Sequence, residues 1–190
     1  MTTIDNAVYR NRIARAQEAL AAQGADALLL GPSADLFYLT GFDAHHSERM
    51  NLLVVPARGE PALVVPAFEV PLVGQARELV AVHGWADGAD PAALAAGLVG
   101  ASEGRTFAVG NQLWSGFLLR LQSRLPGARW VEGDPVLRDL RMHKEPIEIE
   151  LLAEAARLTD AAWERFIVSG PIAGLTELQA LQRLLDLSAE

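Results

Sequence analysis

The chain has 190 residues, a formal net charge of -8, 51% hydrophobic and 21% charged residues, and no cysteine. This composition argues against a disordered chain and allows one substantial core with room for part of a second. The acidic balance disfavours a nucleic-acid backbone as partner, because such binding relies on Lys and Arg displacing counterions. Without cysteine, disulfides, thiolate-bound zinc and thiol catalysis are excluded.

Near the N-terminus, Arg10, Arg12 and Arg15 interrupt any apolar h-region, so no signal peptide is expected, and no apolar run approaches membrane-spanning length. A cytoplasmic protein with no membrane partner is the expectation. Asp5 to Gln23 sets Tyr9, Ile13, Ala16 and Leu20 on one face, opposite Arg10, Arg12, Arg15 and Glu18, and predicts a packed helix stopped by Gly24. Ala27 to Leu30 is a short continuous apolar run ending at Gly31-Pro32, as in a strand covered on both faces. Ser33 is positioned to cap a short helix carrying Leu36, Phe37 and Leu39.

A polar loop, Asp43 to Arg49, follows Leu39-Thr40-Gly41-Phe42. Leu52 to Val55 and Leu63 to Val65 then flank Pro56, Gly59 and Pro61, which predicts a β-hairpin. Phe68 to Gln75 reads as helix despite Pro71, and Leu79 to Val82 as a strand ending at His83-Gly84-Trp85. Asp90-Pro91 opens a helix to Val99 in the order of cap then proline. Thr106 to Val109 reads as a strand, Trp114 to Leu125 as a helix, Arg129 to Val131 as a strand, and Asp134-Pro135 as the start of another helix.

Strands and helices alternating in this way, with one hairpin embedded, predict an α/β fold: an open mixed β-sheet of about five or six strands with helices on both faces. From Pro146 the pattern becomes wholly helical, with Ile147, Leu151, Ala155, Leu158, Ala162 and Phe166 at helical spacing. Thr176 and Gln179 then form a capping box for a final helix bearing Leu178, Leu181 and Leu185. The expected organisation is an α/β domain over 1–140, a linker over 141–146, and over 147–190 the first helices of an incomplete second domain.

Leu39-Thr40-Gly41-Phe42, the hairpin after it, and Arg141-Met142-His143-Lys144 followed by Pro146-Ile147-Glu148-Ile149 and an alanine-rich helix occur in a telling order. The chain resembles, over nearly all its length, the front half of prolidases and aminopeptidase P, the creatinase-like pita-bread metallopeptidases. Two positions depart from the family habit: Glu145 where a small hydroxyl residue often follows the lysine, and His143 where an apolar residue is common. The resemblance implies a creatinase-type N-terminal domain that supports a homodimer or higher homo-oligomer. It also implies a catalytic half that cleaves proline-containing peptides using two divalent metal ions such as Mn, Co or Zn. In the family two Asp, one His and two Glu hold those ions, and this sequence ends before any of them. The chain by itself is therefore expected to carry no catalytic residue and no metal, and to be inactive alone; the alternative is a stand-alone, non-enzymatic α/β binding or assembly module.

Asp43, His45, His46, Glu48 and Arg49 form the densest set of functional side chains. Two readings stay open: a loop lining the mouth of a partner subunit's active site, as the resemblance implies, with Arg49 available to a substrate carboxylate and His45 or His46 near the scissile bond; or a hydrated surface loop. Adjacent histidines on extended chain point apart, which disfavours a metal held by this loop alone. His83 reads as a packed or half-exposed strand-end histidine rather than a catalytic one, and Arg141 and Lys144 as helix C-terminal charges rather than substrate contacts. The Gly31-Pro32-Ser33 turn lacks the spaced glycines of a nucleotide site, so a flavodoxin-type small-molecule-binding domain ranks last.

Overall fold

The computed structural model describes residues 4–188, which form two compact units, 4–143 and 144–188. In the first, the chain runs α1 (Asn6–Ala22), β1 (Ala27–Leu30), α2 (Ala34–Thr40), β2 (Leu52–Pro56), β3 (Ala62–Pro66), a 3-10 segment (Val70–Glu78), β4 (Ala81–Trp85), α3 (Pro91–Val99), β5 (Thr106–Val109), α4 (Ser115–Arg124), β6 (Arg129–Glu132) and α5 (Asp134–Met142). The strands form one six-stranded sheet in the order β4-β3-β2-β1-β5-β6. β1 lies antiparallel to β2 and parallel to β5, so the sheet is mixed, as the embedded hairpin predicts.

Strand periodicity divides the core. Leu28 and Leu30 of β1 join Leu53, Val55, Leu63 and Val65 on the face covered by α1, α2 and α5. Ala27 and Leu29 join Leu52, Val54, Val64 and Phe107 on the face covered by α3 and α4. β1 and β2 are thus buried on both sides, which is why β1 reads as an unbroken apolar run rather than an alternating one.

Local signals explain most element ends. Asp5 caps α1 by accepting from the Ala7 N–H at 2.6 Å, and Asp90 caps α3 by accepting from Ala92 and Ala93. Ser33 Oγ accepts from the Leu36 N–H at 3.2 Å.

Three local expectations are revised. Phe68 to Gln75 is not an α-helix: the 3-10 segment starts beside Pro71, and Gly74, at φ 57 and ψ -134, breaks it. That segment takes Leu79 and Val80, whose N–H groups donate to the Ala76 carbonyl, so β4 begins at Ala81, which donates to Pro61. Arg12 does not stay on the solvent face of α1. It is buried, its guanidinium 4.2 Å from the Tyr38 ring centroid and 5.5 Å from that of Tyr9, and it donates to the Tyr38 carbonyl at 3.0 Å. Two aromatic faces and a carbonyl make this buried charge tolerable.

In the second unit, α6 (Pro146–Val168) and α7 (Glu177–Ser188) pack on each other. Glu145 forms a reciprocal capping box with Glu148, whose carboxylate accepts the Glu145 N–H at 3.0 Å. The α7 cap forms through Thr176 and Gln179, each N–H donating to the other's side-chain oxygen. Phe166 is buried, while Leu152, Trp163, Leu178, Leu181 and Leu185 are exposed. Among the described residues no helix is long and apolar enough to cross a membrane.

Candidate functional site

The segment Leu39-Thr40-Gly41-Phe42 turns the chain from α2 into the 43–49 loop. Thr40, fully buried, donates from Oγ1 to the Leu36 carbonyl at 2.8 Å and accepts from the Phe42 N–H at 3.1 Å. Gly41 takes the left-handed conformation at φ 70, and its N–H donates to the Phe37 carbonyl at 2.7 Å. A Cβ at Gly41 would stand 2.8 Å from the Tyr9 hydroxyl. Conformation and space both demand glycine here. Burial raises the Tyr9 hydroxyl's pKa, and Arg12 opposes that shift only in part.

The loop has no regular secondary structure, yet it is anchored along its length. Ala44 and Met50 are buried, and His45 Nδ1 lies 3.2 Å from the Asp43 carbonyl. Ser47 Oγ accepts from the Arg49 N–H at 3.2 Å. The His46 imidazole stacks on the Trp114 indole, with centroids 6.1 Å apart and planes within 10°, and Trp114 stacks in turn on Phe117. Arg49 lies over the Phe68 ring at 5.1 Å and pairs with Asp87 at 3.3 Å. Behind the loop, Trp85 Nε1 donates to the Met50 carbonyl at 3.0 Å, and buried Asn51 donates to Glu69 at 3.0 Å.

The structure separates the five predicted site residues. Asp43 and His45 line a hollow of about 690 Å³ whose apolar walls include Phe42, Phe68, Leu72 and Val73. Glu48 lines another, of about 390 Å³, with Trp114, Phe117 and Arg120. His46 belongs with Trp114, and Arg49 stands between Phe68 and Asp87. The loop is thus a ridge between two hollows, and its adjacent histidines diverge.

Among the described residues no three of His, Asp and Glu come together in a way that could hold a metal ion. The described residues therefore offer no donor set that fits the two divalent ions implied by the family resemblance.

The other candidates resolve locally. Arg141 pairs with Asp35, so it ties α5 to α2 at the surface rather than being only a helix-end charge. Gly31 packs against Leu113, where an added Cβ would sit 3.2 Å from Cδ1. Sequence reasoning missed Trp114, Phe68 and Asp87, which hold the loop. Trp114 precedes a helix with no polar cap of its own, the one local hint that it serves another purpose.

The family described as the creatinase/prolidase N-terminal domain matches residues 12–143. A probable dipeptidase PepE of Mycobacterium tuberculosis is 38% identical over 172 residues, covering 87% of this chain and 45% of that protein. The crystal structure of dipeptidase PepE from Mycobacterium ulcerans superposes with a TM-score of 0.85 at 35% identity, covering 99% of this chain and 51% of that one. A creatinase/prolidase N-terminal domain from a Streptococcus pyogenes X-Pro dipeptidase shares the fold, with a TM-score of 0.59 at 22% identity over 68% of this chain and 98% of its own. This chain spans about half the length of the longer relatives it matches.

Proposed function

Because this chain belongs to the creatinase/prolidase N-terminal domain family, we propose that it is the N-terminal portion of a metal-dependent dipeptidase that cleaves next to proline. In this reading the chain supports dimerisation and shapes an active-site entrance, while the two divalent ions and the catalytic residues belong to the other half of the protein. The observation that carries the reading is the anchored loop. A hydrated surface loop has no need of a stacked histidine, a ring-supported arginine and a buried alanine within it.

The chemistry suits a small peptide. The hollow beside Asp43 and His45 offers apolar walls to a pyrrolidine ring or an aliphatic side chain. Arg49, 5.1 Å over the Phe68 ring, keeps a guanidinium for a peptide carboxylate once Asp87 releases it. His45, which lines the same hollow, would meet such a peptide as a hydrogen-bonding group and not as a metal ligand, whereas His46 lies against Trp114 on the other side of the ridge.

Native protein purified from its source cells is expected to hydrolyse an Xaa-Pro dipeptide when Mn²⁺ is supplied, and to run on an immunoblot at about twice the 20.4 kDa of this chain. The pure 190-residue chain is expected to give no turnover under the same conditions. A native protein without such activity would favour the stand-alone binding or assembly module, and metal-dependent cleavage by the 190-residue chain would overturn the inactive reading.

A further inference from the structure

A hollow of about 420 Å³ lies at the opposite end of the sheet from the 43–49 loop, on the face covered by α3 and α4. The strand register makes it. Val54 stands opposite Ala62, and Ala62 opposite Ala81, so three neighbouring strands present small side chains in one row. Leu98 and Val99, in the last turn of α3, wall the space above that row. The result is an aliphatic floor beneath that rim.

The rim carries charge that the fold does not use. Arg105 is fixed, pairing with Asp26 at 3.2 Å and donating to the Val99 carbonyl at 2.5 Å. Arg58 and Glu60, two positions apart in the β2–β3 turn, make no ion pair with each other or with any described residue. His83, half-buried on β4 in the row next to Ala81, likewise has no hydrogen-bond partner among the described residues. The hollow therefore offers one uncommitted cation, one uncommitted anion and an imidazole that both donates and accepts. Arg105 and Asp26 neutralise each other beside it.

We infer that this hollow binds a zwitterionic α-amino acid with an aliphatic side chain, its carboxylate on Arg58, its ammonium on Glu60 and its side chain over the alanine row. The charge pattern selects against both simple acids and simple amines, because either one leaves an opposite charge at the rim unanswered. The floor selects chemistry: Val54, Ala62, Ala81, Leu98 and Val99 offer only aliphatic contacts, which suit an aliphatic side chain rather than a polar one.

The experiment is an amide NMR titration of the 190-residue chain with L-valine, with isobutyrate and isobutylamine as probes that each keep one charge. Valine is expected to shift Ala62, Ala81, His83 and Leu98, with half-saturation at about 1 to 10 mM. Arg58→Gln and Glu60→Gln are each expected to weaken binding about tenfold; both residues are exposed and unpaired, so the remaining spectrum reports that the fold is intact. Isobutyrate and isobutylamine are expected to produce less than about a tenth of the valine shifts at equal concentration. Valine shifts mapping elsewhere, an unchanged affinity in both variants, or equal shifts with either single-charge probe would overturn the assignment.

Discussion

Arg49 and Asp87 lie 3.3 Å apart across the gap between the 43–49 loop and the turn after β4, and the same guanidinium rests on the Phe68 ring. Asp87 is largely exposed, so this pair contributes at most about 1 kcal/mol to stability. Its role is to aim the guanidinium. Asp87→Asn is expected to change unfolding free energy by less than about 0.5 kcal/mol in urea titrations. It should nevertheless speed hydrogen exchange at the Arg49 Nη2 hydrogens, which face Asp87. A large loss of stability, or unaltered side-chain exchange, would contradict this account.

The stacked pair His46 and Trp114 gives a second prediction. A double-mutant cycle between His46→Ala and Trp114→Ala is expected to show a coupling of about 0.5 to 1 kcal/mol, with amide exchange at residues 44–47 rising in either single variant. Zero coupling would mean that the rings are neighbours without being partners.

Gly41→Ala is expected to destabilise the domain by about 2 kcal/mol or more in urea denaturation. Left-handed backbone costs an L-residue about 1 to 2 kcal/mol, and the new methyl also presses on the buried Tyr9 ring. A neutral outcome would show that α2 and α1 can separate without cost.

At Asp90, desolvation pushes the carboxyl's pKa up. The Ala93 N–H, the Arg124 side chain and the Ala92 N–H outweigh it and hold the pKa below the ordinary carboxylate value. Because the folded value is the lower one, the contribution is present above the unfolded pKa and is lost as pH falls through the folded pKa. Asp90→Ala is expected to cost about 1 kcal/mol at neutral pH, and less as the solution is acidified through the carboxylate range. A pH-independent difference between the two proteins would sink the capping assignment.

The exposed faces of α6 and α7 lead to a prediction about association. With Leu152, Trp163, Leu178, Leu181 and Leu185 open to solvent, the pure chain is expected to self-associate at high concentration or to bind a hydrophobic dye. Leu181→Lys combined with Leu185→Lys should reduce both in sedimentation and fluorescence measurements. A dye-free monomer at all concentrations would contradict it.

The contrast between what could and could not be read from sequence follows the range of the interactions. β1, the hairpin and the caps at Ser33, Asp90 and Thr176 were legible because periodicity and hydrogen bonding act within a few residues. The 3-10 segment was not, because an apolar helical pattern says nothing of the backbone angle at Gly74. The polar content of the 43–49 loop and the divergence of its adjacent histidines were visible, but what holds its division into two sides was not. That division depends on Phe68, Asp87 and Trp114, which reach the loop only through tertiary packing. Arg12 failed for a related reason: two tyrosines from different helices make its burial tolerable, and no single helix pattern contains both.

The parallel pairing of β1 with β5 has a consequence during synthesis. Asp26, just ahead of β1, accepts from the Thr106 N–H, 80 residues further on. At about 5 to 20 residues per second, a ribosome makes the two about 4 to 16 s apart. For that interval β1 can pair on its β2 side while its other edge stays open, a bare row of peptide groups beside leucines. Substitutions that slow translation between Leu30 and Thr106 are therefore expected to lower soluble yield without changing the stability of the finished fold.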